Sequence, residues 1–482
     1  MFKDLKYLIY TAMFFTSFTV FAVDTAVHKS KYSLERFVKE SLKVYPALKI
    51  AKLNLDRLEL ELGKAASQLG WVLTGQGGFS RNSSSFGIQS DVVDFGVGLE
   101  KLLESGDTLS LNGDYEHVDS DAALFSLLPN PSDTTNLSIN YRMPILEGVN
   151  NLKYSFSIDQ AEINKKISEL KVQKIRDTFI LKLTDIFYSI SILDARYRTA
   201  MKSLERTKKL RLYIKNNIDL GLLEKGEILQ INSQIYTLKL ELQKISDLKE
   251  QQTIAINRFL KRPFLSNFET VDSSNIDNIE FSRSKIIENV KKYSVELKEN
   301  NLQLELLDSA LALSRDREKS KLDIVMSVGV QNRSGPSSTG EIDDTVTTGM
   351  VRLEYRAALD KRTFNSERLQ IQIDREKNKE EGVSLIDDLE YETNILISRI
   401  IKSKNIVKLS QAKNKNETDK YKDIFKRYKG GRATTNTVIQ FDNERIRAEL
   451  DYDTERYELE KIIESLNIKQ GLYFNEQALS IN

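Results

Sequence analysis

The stretch Phe179–Leu204 constrains this chain more than any other. Alternating steps of four and three residues pick out Phe179, Leu183, Ile186, Ile190, Leu193, Tyr197, Ala200 and Leu204, with charged and polar residues between them. An unbroken heptad seam of this kind specifies a long helix packed lengthwise on other helices. Ile190 and Leu193 are therefore expected to be buried, and the neighbouring Asp194 and Arg196 to be solvated. The seam resumes beyond Gly221–Gly226 as Ile228, Ile231, Ile235, Leu238, Leu242 and Ile245. A second seam of Leu389, Leu396, Ile400, Val407, Tyr421, Ile424 and Tyr428 leads to Gly430 and Gly431. Val438, Phe441, Ala448, Tyr452, Leu459, Ile462 and Leu466 lead away. Two helical hairpins with glycine-bearing turns are thus encoded in one chain.

Between these helices the period changes to two. Trp71–Ser80, Val93–Glu100, Thr108–Tyr115 and Leu137–Met143 each alternate apolar with polar or small residues, as half-buried strands do. Asn82–Ser90 and Ser120–Thr135 read as protruding polar loops, and Ser105-Gly106-Asp107 as a tight turn. Upstream, Tyr32–Lys64 is expected to be helical, with Ser33 as N-cap and Pro46 kinking or restarting the helix. Leu48, Ala51, Leu55, Leu58, Leu62, Ala65 and Leu69 form its seam. Helix resumes after Pro144 and runs to about Asn217, roughly 100 Å at the standard rise, then returns to about Phe259.

The order then recurs: a helix over Phe281–Arg317, a strand at Leu322–Val330, a polar loop at Gly335–Asp344, a strand at Val351–Leu359, and the hairpin at Gly430-Gly431. An internal duplication at a spacing of roughly 250 residues accounts for the two hairpins. The fold class expected is mainly α with a β-barrel portion, divided into a first repeat over 23–262, a linker over 263–280 and a second repeat over 281–482.

Residues 1–22 have the pattern of a secretory signal: Lys3 and Lys6, then an apolar run over Tyr7–Phe21, then small or β-branched residues at Val20-Phe21-Ala22. Removing them takes two Lys and one Asp from a net charge of +1, leaving zero. With 71 Lys+Arg against 70 Asp+Glu there is no basic excess to suggest nucleic acid. The absence of cysteine excludes disulfides and a cysteine-linked lipid. Only two histidines occur, His28 and His117, neither with neighbours at metal-ligand spacing. No phosphate loop or nucleophile elbow is present. No enzyme, cofactor or metal is expected.

Amphipathic strands this few cannot close a membrane barrel from one chain, so several chains must pool them. The rival arrangement, a periplasmic coiled-coil scaffold or adaptor without a pore, has no use for strands of membrane-crossing length.

Three segments carry a family resemblance. Asn217-Ile-Asp-Leu-Gly-Leu-Leu-Glu-Lys-Gly-Glu-Ile-Leu-Gln230 resembles the first hairpin turn of the TolC-like outer-membrane efflux proteins, a Gly-Leu followed by an acidic residue and an aliphatic pair. Arg427-Tyr-Lys-Gly-Gly-Arg-Ala-Thr-Thr-Asn-Thr-Val-Ile-Gln440 resembles their second, with an Arg-Tyr-x-x-Gly entry and a Val-Ile exit. Tyr141-Arg-Met-Pro-Ile-Leu-Glu-Gly148 is similar to the family's passage from strand to helix. The resemblance spans nearly the whole mature chain. It implies a homotrimer in the outer membrane with a shared β-barrel, a helical periplasmic tunnel, and docking to an inner-membrane pump through an adaptor protein. It also implies a periplasmic aperture or adaptor-docking region at Gly221, Glu227, Tyr428, Gly431, Arg432, Thr437 and Gln440. Two departures stand out. The family usually contributes two strands per half, whereas four are legible in the first half here. The second turn often carries two aspartates, and the matching positions are Thr437 and Gln440, while Glu227 keeps the acidic position of the first turn.

Overall fold

The computed structural model describes residues 31–83, 89–121, 128–271 and 282–472. The expected signal segment and His28 lie outside the described residues. In chain order the elements are α1 (Leu34–Val44), α2 (Pro46–Ala66), β1 (Trp71–Ser83), β2 (Gln89–Leu102), β3 (Thr108–Ser120), β4 (Ser132–Pro144), α3 (Leu152–Asp219), α4 (Glu227–Leu260), α5 (Arg283–Tyr293), α6 (Val295–Arg317), β5 (Lys321–Ser337), β6 (Gly340–Arg356), α7 (Arg362–Lys429) and α8 (Thr435–Lys469).

Helices α3 and α7 each have 68 residues, about 100 Å of unbroken helix. The shorter first helix is interrupted as Pro46 demands: Tyr45 is extended at ψ 113°, and Pro46 opens α2 where its missing N–H costs nothing. Ser33 caps α1, its hydroxyl accepting from the Arg36 amide at 3.3 Å.

The seams are where the helices meet. Phe179, Leu183 and Ile190 of α3 have no more than 3% exposure and pack with Phe37, Leu42 and Leu48 from α1 and α2 and with Ile256 and Leu260 from α4. Ile397, Ile400, Leu459 and Leu466 form the matching core between α7 and α8. Ala200, Leu204, Leu238 and Leu242 continue the α3–α4 seam. Leu193 is only half-buried, at the margin of the α3–α4 cluster, and Tyr197 is exposed, with Lys249 of α4 over its ring at 5.9 Å. Asp194, expected in water, is buried instead. Its carboxylate meets Lys249 Nζ of α4 at 2.7 Å and accepts from the Thr270 hydroxyl at 3.3 Å, so a charge pair rather than solvent satisfies it.

Laterally the helices form two layers. Beside the sheet the packing order is α2, α3, α6, α7; towards the hairpin tips it is α4, α3, α8, α7. Among the described residues no helix is long and apolar enough to cross a membrane.

All six strands join one antiparallel sheet in sequence order, β1 to β6. The register sorts the side chains into two faces. One row across the sheet runs Leu73, Leu99, Leu111, Ile139, Val328 and Gly349; the next runs Trp71, Lys101, Leu109, Tyr141, Met326 and Val351. On the opposite face Thr74, Gly98, Asn112, Ser138, Gly329 and Thr348 stand in line. Most of the apolar face is open: Leu73 is 70% exposed, Phe95 59% and Leu137 62%.

The strands outrun the alternation that marks them in sequence. The polar loop expected at Gly335–Asp344 is mostly ladder, with Ser337 paired to Gly340 across a two-residue turn. β6 starts at Gly340 and ends at Arg356, so Ala357 and Leu359 lie beyond it. Likewise β1 reaches Ser83 and β2 begins at Gln89, shortening the loop expected at Asn82–Ser90. At these ends both faces are mostly polar, so pairing continues where the period-two hydrophobic signal has vanished.

Candidate functional site

The seven residues singled out by resemblance fall at the two hairpin tips, and the tips pack together. Leu210, Ile214, Ile231, Tyr428 and Val438 form one buried cluster fed by α3, α4, α7 and α8. Both turns are built alike. The Leu222 amide donates to the Asn217 carbonyl at 2.8 Å and the Gly221 amide to Ile218 at 2.9 Å. The Arg432 amide donates to Arg427 at 2.9 Å and the Gly431 amide to Tyr428 at 3.0 Å. These are Schellman closures, which place one residue in the left-handed region. Gly221 (φ +73°) and Gly431 (φ +72°) occupy it. A Cβ on either would touch nothing within 4 Å, so substitution is resisted by backbone conformation alone. Gly221→Ala and Gly431→Ala are each expected to destabilise their tip by about 1 kcal/mol. Hydrogen exchange should rise in the flanking turns of helix and nowhere else.

Counted from these glycines, Glu227 and Thr437 hold equivalent positions, each six residues on. Their surroundings differ. Thr434 caps α8, its hydroxyl accepting from the Thr437 amide at 3.3 Å and lying 2.9 Å from the Thr437 hydroxyl. Thr437 is therefore engaged in the cap. Glu227 opens α4 where a carboxylate suits the helix dipole, and one of its oxygens is buried without a hydrogen-bond partner. Tyr428 is 5% exposed. Its hydroxyl lies 2.9 Å from that of Thr435, and its ring centre is 5.8 Å from that of Tyr213. Burial, with the Glu227 carboxylate nearby, raises the Tyr428 phenol above its ordinary value, while the Thr435 hydroxyl opposes the shift. The structure thus joins Tyr428 and Glu227 in the inter-hairpin contact. Gly221, Gly431, Arg432 and Gln440 are left at the surface. Gln440 donates to Glu444 at 3.4 Å, and Glu444 pairs with Lys420 at 3.0 Å.

Just above the tips lies a charged network that the seam reading passed over. Asp442 and Arg445 of α8 are 7% and 8% exposed and pair at 3.0 Å. The Ser203 hydroxyl of α3 donates to Asp442 at 3.0 Å, and Arg206 of α3 approaches it at 3.6 Å. Arg445 also reaches Glu449 at 3.2 Å, which accepts from the Thr199 hydroxyl at 3.2 Å. Burial raises the Asp442 carboxyl above the usual carboxylate range, and Arg206 opposes the shift. The signal for this network was the Asp442-x-x-Arg445-x-x-x-Glu449 ladder, whose steps of three and four put all three charges on one helix face.

The sheet end has its own geometry. The apolar face is bounded by Trp71, Tyr141 and Tyr355 near the helices and by Phe79, Phe95 and Tyr115 at the far end. Beyond the far end the same face turns polar, with Arg81 and Asp91 paired at 2.6 Å and His117 and Asp133 at 2.8 Å. His117 thus has an acid partner. Among the described residues no three or more His, Cys, Asp or Glu are grouped to hold a metal. From Trp71 to Phe79 the band is about 20 Å tall at a strand tilt of ~40°, near the height of a lipid-facing belt framed by aromatic girdles.

By sequence the chain matches no protein-family model and no curated protein. Its structure is similar to several solved ones. Against CusC, a structure described in terms of transmembrane channel formation, the TM-score is 0.66 at 11% identity, covering 91% of this chain and 92% of that one. The CmeC outer membrane channel of Campylobacter jejuni gives 0.61 at 15% identity, covering 92% and 87%. The outer membrane protein VceC of Vibrio cholerae gives 0.61 at 12% identity, covering 91% and 96%. Likeness of helices, sheet and hairpins together over 91–92% of this chain identifies the fold as the TolC-like one.

Proposed function

We propose that the protein is an outer-membrane export channel, a passive conduit from periplasm to exterior in a tripartite efflux or type I secretion system. One observation carries this reading: a six-stranded sheet with one open apolar face and one polar face, set on helices of about 100 Å. A face of that kind suits lipid outside and water inside a barrel. A periplasmic scaffold built from the same helices would hold it in water. The likeness to outer-membrane channels supports the same reading.

In this proposal three copies pool their sheets into a barrel in the outer membrane of a Gram-negative-type cell. Their helices form a periplasmic tunnel whose tips meet an adaptor protein, itself bound to an inner-membrane pump that supplies the energy. The chain divides into two repeats, 23–262 and 281–482, joined by 263–280, after a signal over 1–22. The equal lengths of α3 and α7 and the twin turn closures support an internal duplication.

The tips form the periplasmic aperture. Any residue facing the axis there appears three times at short range, so single side chains become rings. Thr437 and Gln440 give neutral rings, with Glu227 and Arg432 as the nearby charges. The wild-type channel is expected to be weakly cation-selective and little blocked by multivalent cations added on the periplasmic side. Thr437→Asp with Gln440→Asp should raise both properties in planar-bilayer recordings. Asp at 437 lies in the first turn of α8, where a carboxylate is tolerated. A wild type already strongly selective and blocked, with the double variant unchanged, would remove these residues from the mouth. Recovery of the protein as a soluble periplasmic monomer without conductance would sink the channel reading itself.

A further inference from the structure

We propose that the additional hairpin of the first half belongs to the membrane barrel, which closes by pairing β6 of one copy with β1 of the next and contains eighteen strands in the trimer. The inference rests on the channel reading above and fixes what that reading leaves open: the width of the barrel and the surface that closes it.

Sheet and helical layer are matched in width. Six strands spaced ~4.8 Å apart and tilted by ~40° span an arc of about 38 Å. The helical layer beneath has four members, α2, α3, α6 and α7, and at interaxial distances of roughly 8–10 Å it spans about 32–40 Å. Sheet and helices therefore have comparable widths in each copy and close on the same number of copies without a marked taper. Four strands would span only about 25 Å by the same estimate and force the tube to narrow at the membrane. Three copies of a six-stranded sheet make eighteen strands, the size at which barrels leave an open aqueous channel.

The unpartnered surfaces lie at the two edges of the sheet and beside them. β1 and β6 are the two edges of the sheet, each with a row of backbone groups lacking a ladder partner, which invites pairing with another chain. The helices flanking those edges carry exposed apolar side chains. On the β1 side these include Leu53 and Leu60 of α2 and Tyr236 and Leu240 of α4; on the β6 side, Ile373 and Tyr391 of α7. Of the inner helices, α6 and α8 expose no large apolar side chain among the described residues, and α3 exposes Tyr197, Met201 and Leu212. Edge strands and apolar helix surfaces thus coincide on two different flanks of one chain. That is the pattern of a head-to-tail contact, which generates a closed ring of copies. The occupant of each flank is a second copy of this chain.

The polar-face residues Thr74 on β1 and Val346, Thr348 and Met350 on β6 provide the test, helped by the absence of native cysteine. Thr74→Cys is combined in turn with Val346→Cys, Thr348→Cys or Met350→Cys, and outer-membrane protein is oxidised and run on denaturing gels. One of these same-face pairs should give a covalent ladder ending at three chains, while Thr74→Cys with Thr347→Cys, on opposite faces, should give none. Cross-linking of β6 to β3 instead, through Ser110→Cys, would place the first hairpin outside the barrel and overturn the proposal. A ladder ending at two chains would overturn it as well. Electron cryomicroscopy of the unmodified protein is the independent count: eighteen strands are expected, and twelve would refute it. An intact oligomeric channel with twelve strands would defeat this inference alone, whereas a soluble monomer would defeat the channel reading with it.

Discussion

Replacing Ile190 with Asp is expected to abolish stable assembly. Ile190 is fully buried, in the same cluster as Leu183, Phe187 and Phe37, where α1, α3 and α4 come together. The cluster members named around it are apolar. A charge placed there either stays ionised at a cost of about 4 kcal/mol or more, or opens the helix locally. The change should appear as loss of the proposed oligomer and a lowered unfolding midpoint. Arg196→Asp, two turns away on the exposed side, serves as the control and should leave both near wild type. An Ile190→Asp protein that assembles and melts normally would show that the α3 seam is not the packed face.

Asp442→Ala is the second change with a large expected effect. The carboxylate lies between two guanidinium groups, Arg445 at 3.0 Å and Arg206 at 3.6 Å, and accepts from Ser203. Removing it leaves the nearly buried Arg445 with only Glu449 to answer its charge, and breaking a buried pair in this way typically costs about 3–5 kcal/mol. Unfolding midpoints and hydrogen exchange between the tips and the mid-helix should both register the loss. Asp442→Asn keeps the hydrogen-bonding shape without the buried charge and should be at least as stable as wild type at neutral pH. The pH dependence follows from the raised carboxyl. The folded chain holds that proton more readily than the unfolded chain, so the burden of the ionised form is complete above the folded pKa and is relieved as pH falls below it. Wild type and Asp442→Asn should therefore converge in stability at acidic pH. If Asp442→Ala is as stable as wild type at neutral pH, the network does not tie α8 to α3.

What sequence alone determined here is periodic or local. Steps of three and four placed Leu183, Ile190, Leu238, Ile400 and Leu459 on buried faces, because a helix repeats every 3.6 residues whatever it packs against. Steps of two separated Leu73, Leu99, Leu111 and Ile139 from Thr74, Gly98, Asn112 and Ser138 for the same reason. Gly221 and Gly431 marked the turns because few other residues adopt their backbone conformation without strain. Pro46 marked the break in the first helix through its missing N–H. The tertiary structure decided matters that depend on partners distant in the chain. Asp194 and Asp442 are off the apolar pattern, and whether such a carboxylate meets water or a cation depends on Lys249 or Arg206 arriving from elsewhere. The paired ends of β5 and β6 are mostly polar and lack alternation, so only the ladder between them reveals them as strand. Among the candidate tip residues, sequence placed Tyr428 and Glu227 at the turns, but only the meeting of two hairpins buried Tyr428 against Tyr213. The extra hairpin was legible as alternating residues, but its place at the sheet edge was not. Alternation fixes which way a side chain faces, whereas the neighbour of a strand is chosen by backbone pairing between segments up to about two hundred residues apart, as with β4 and β5.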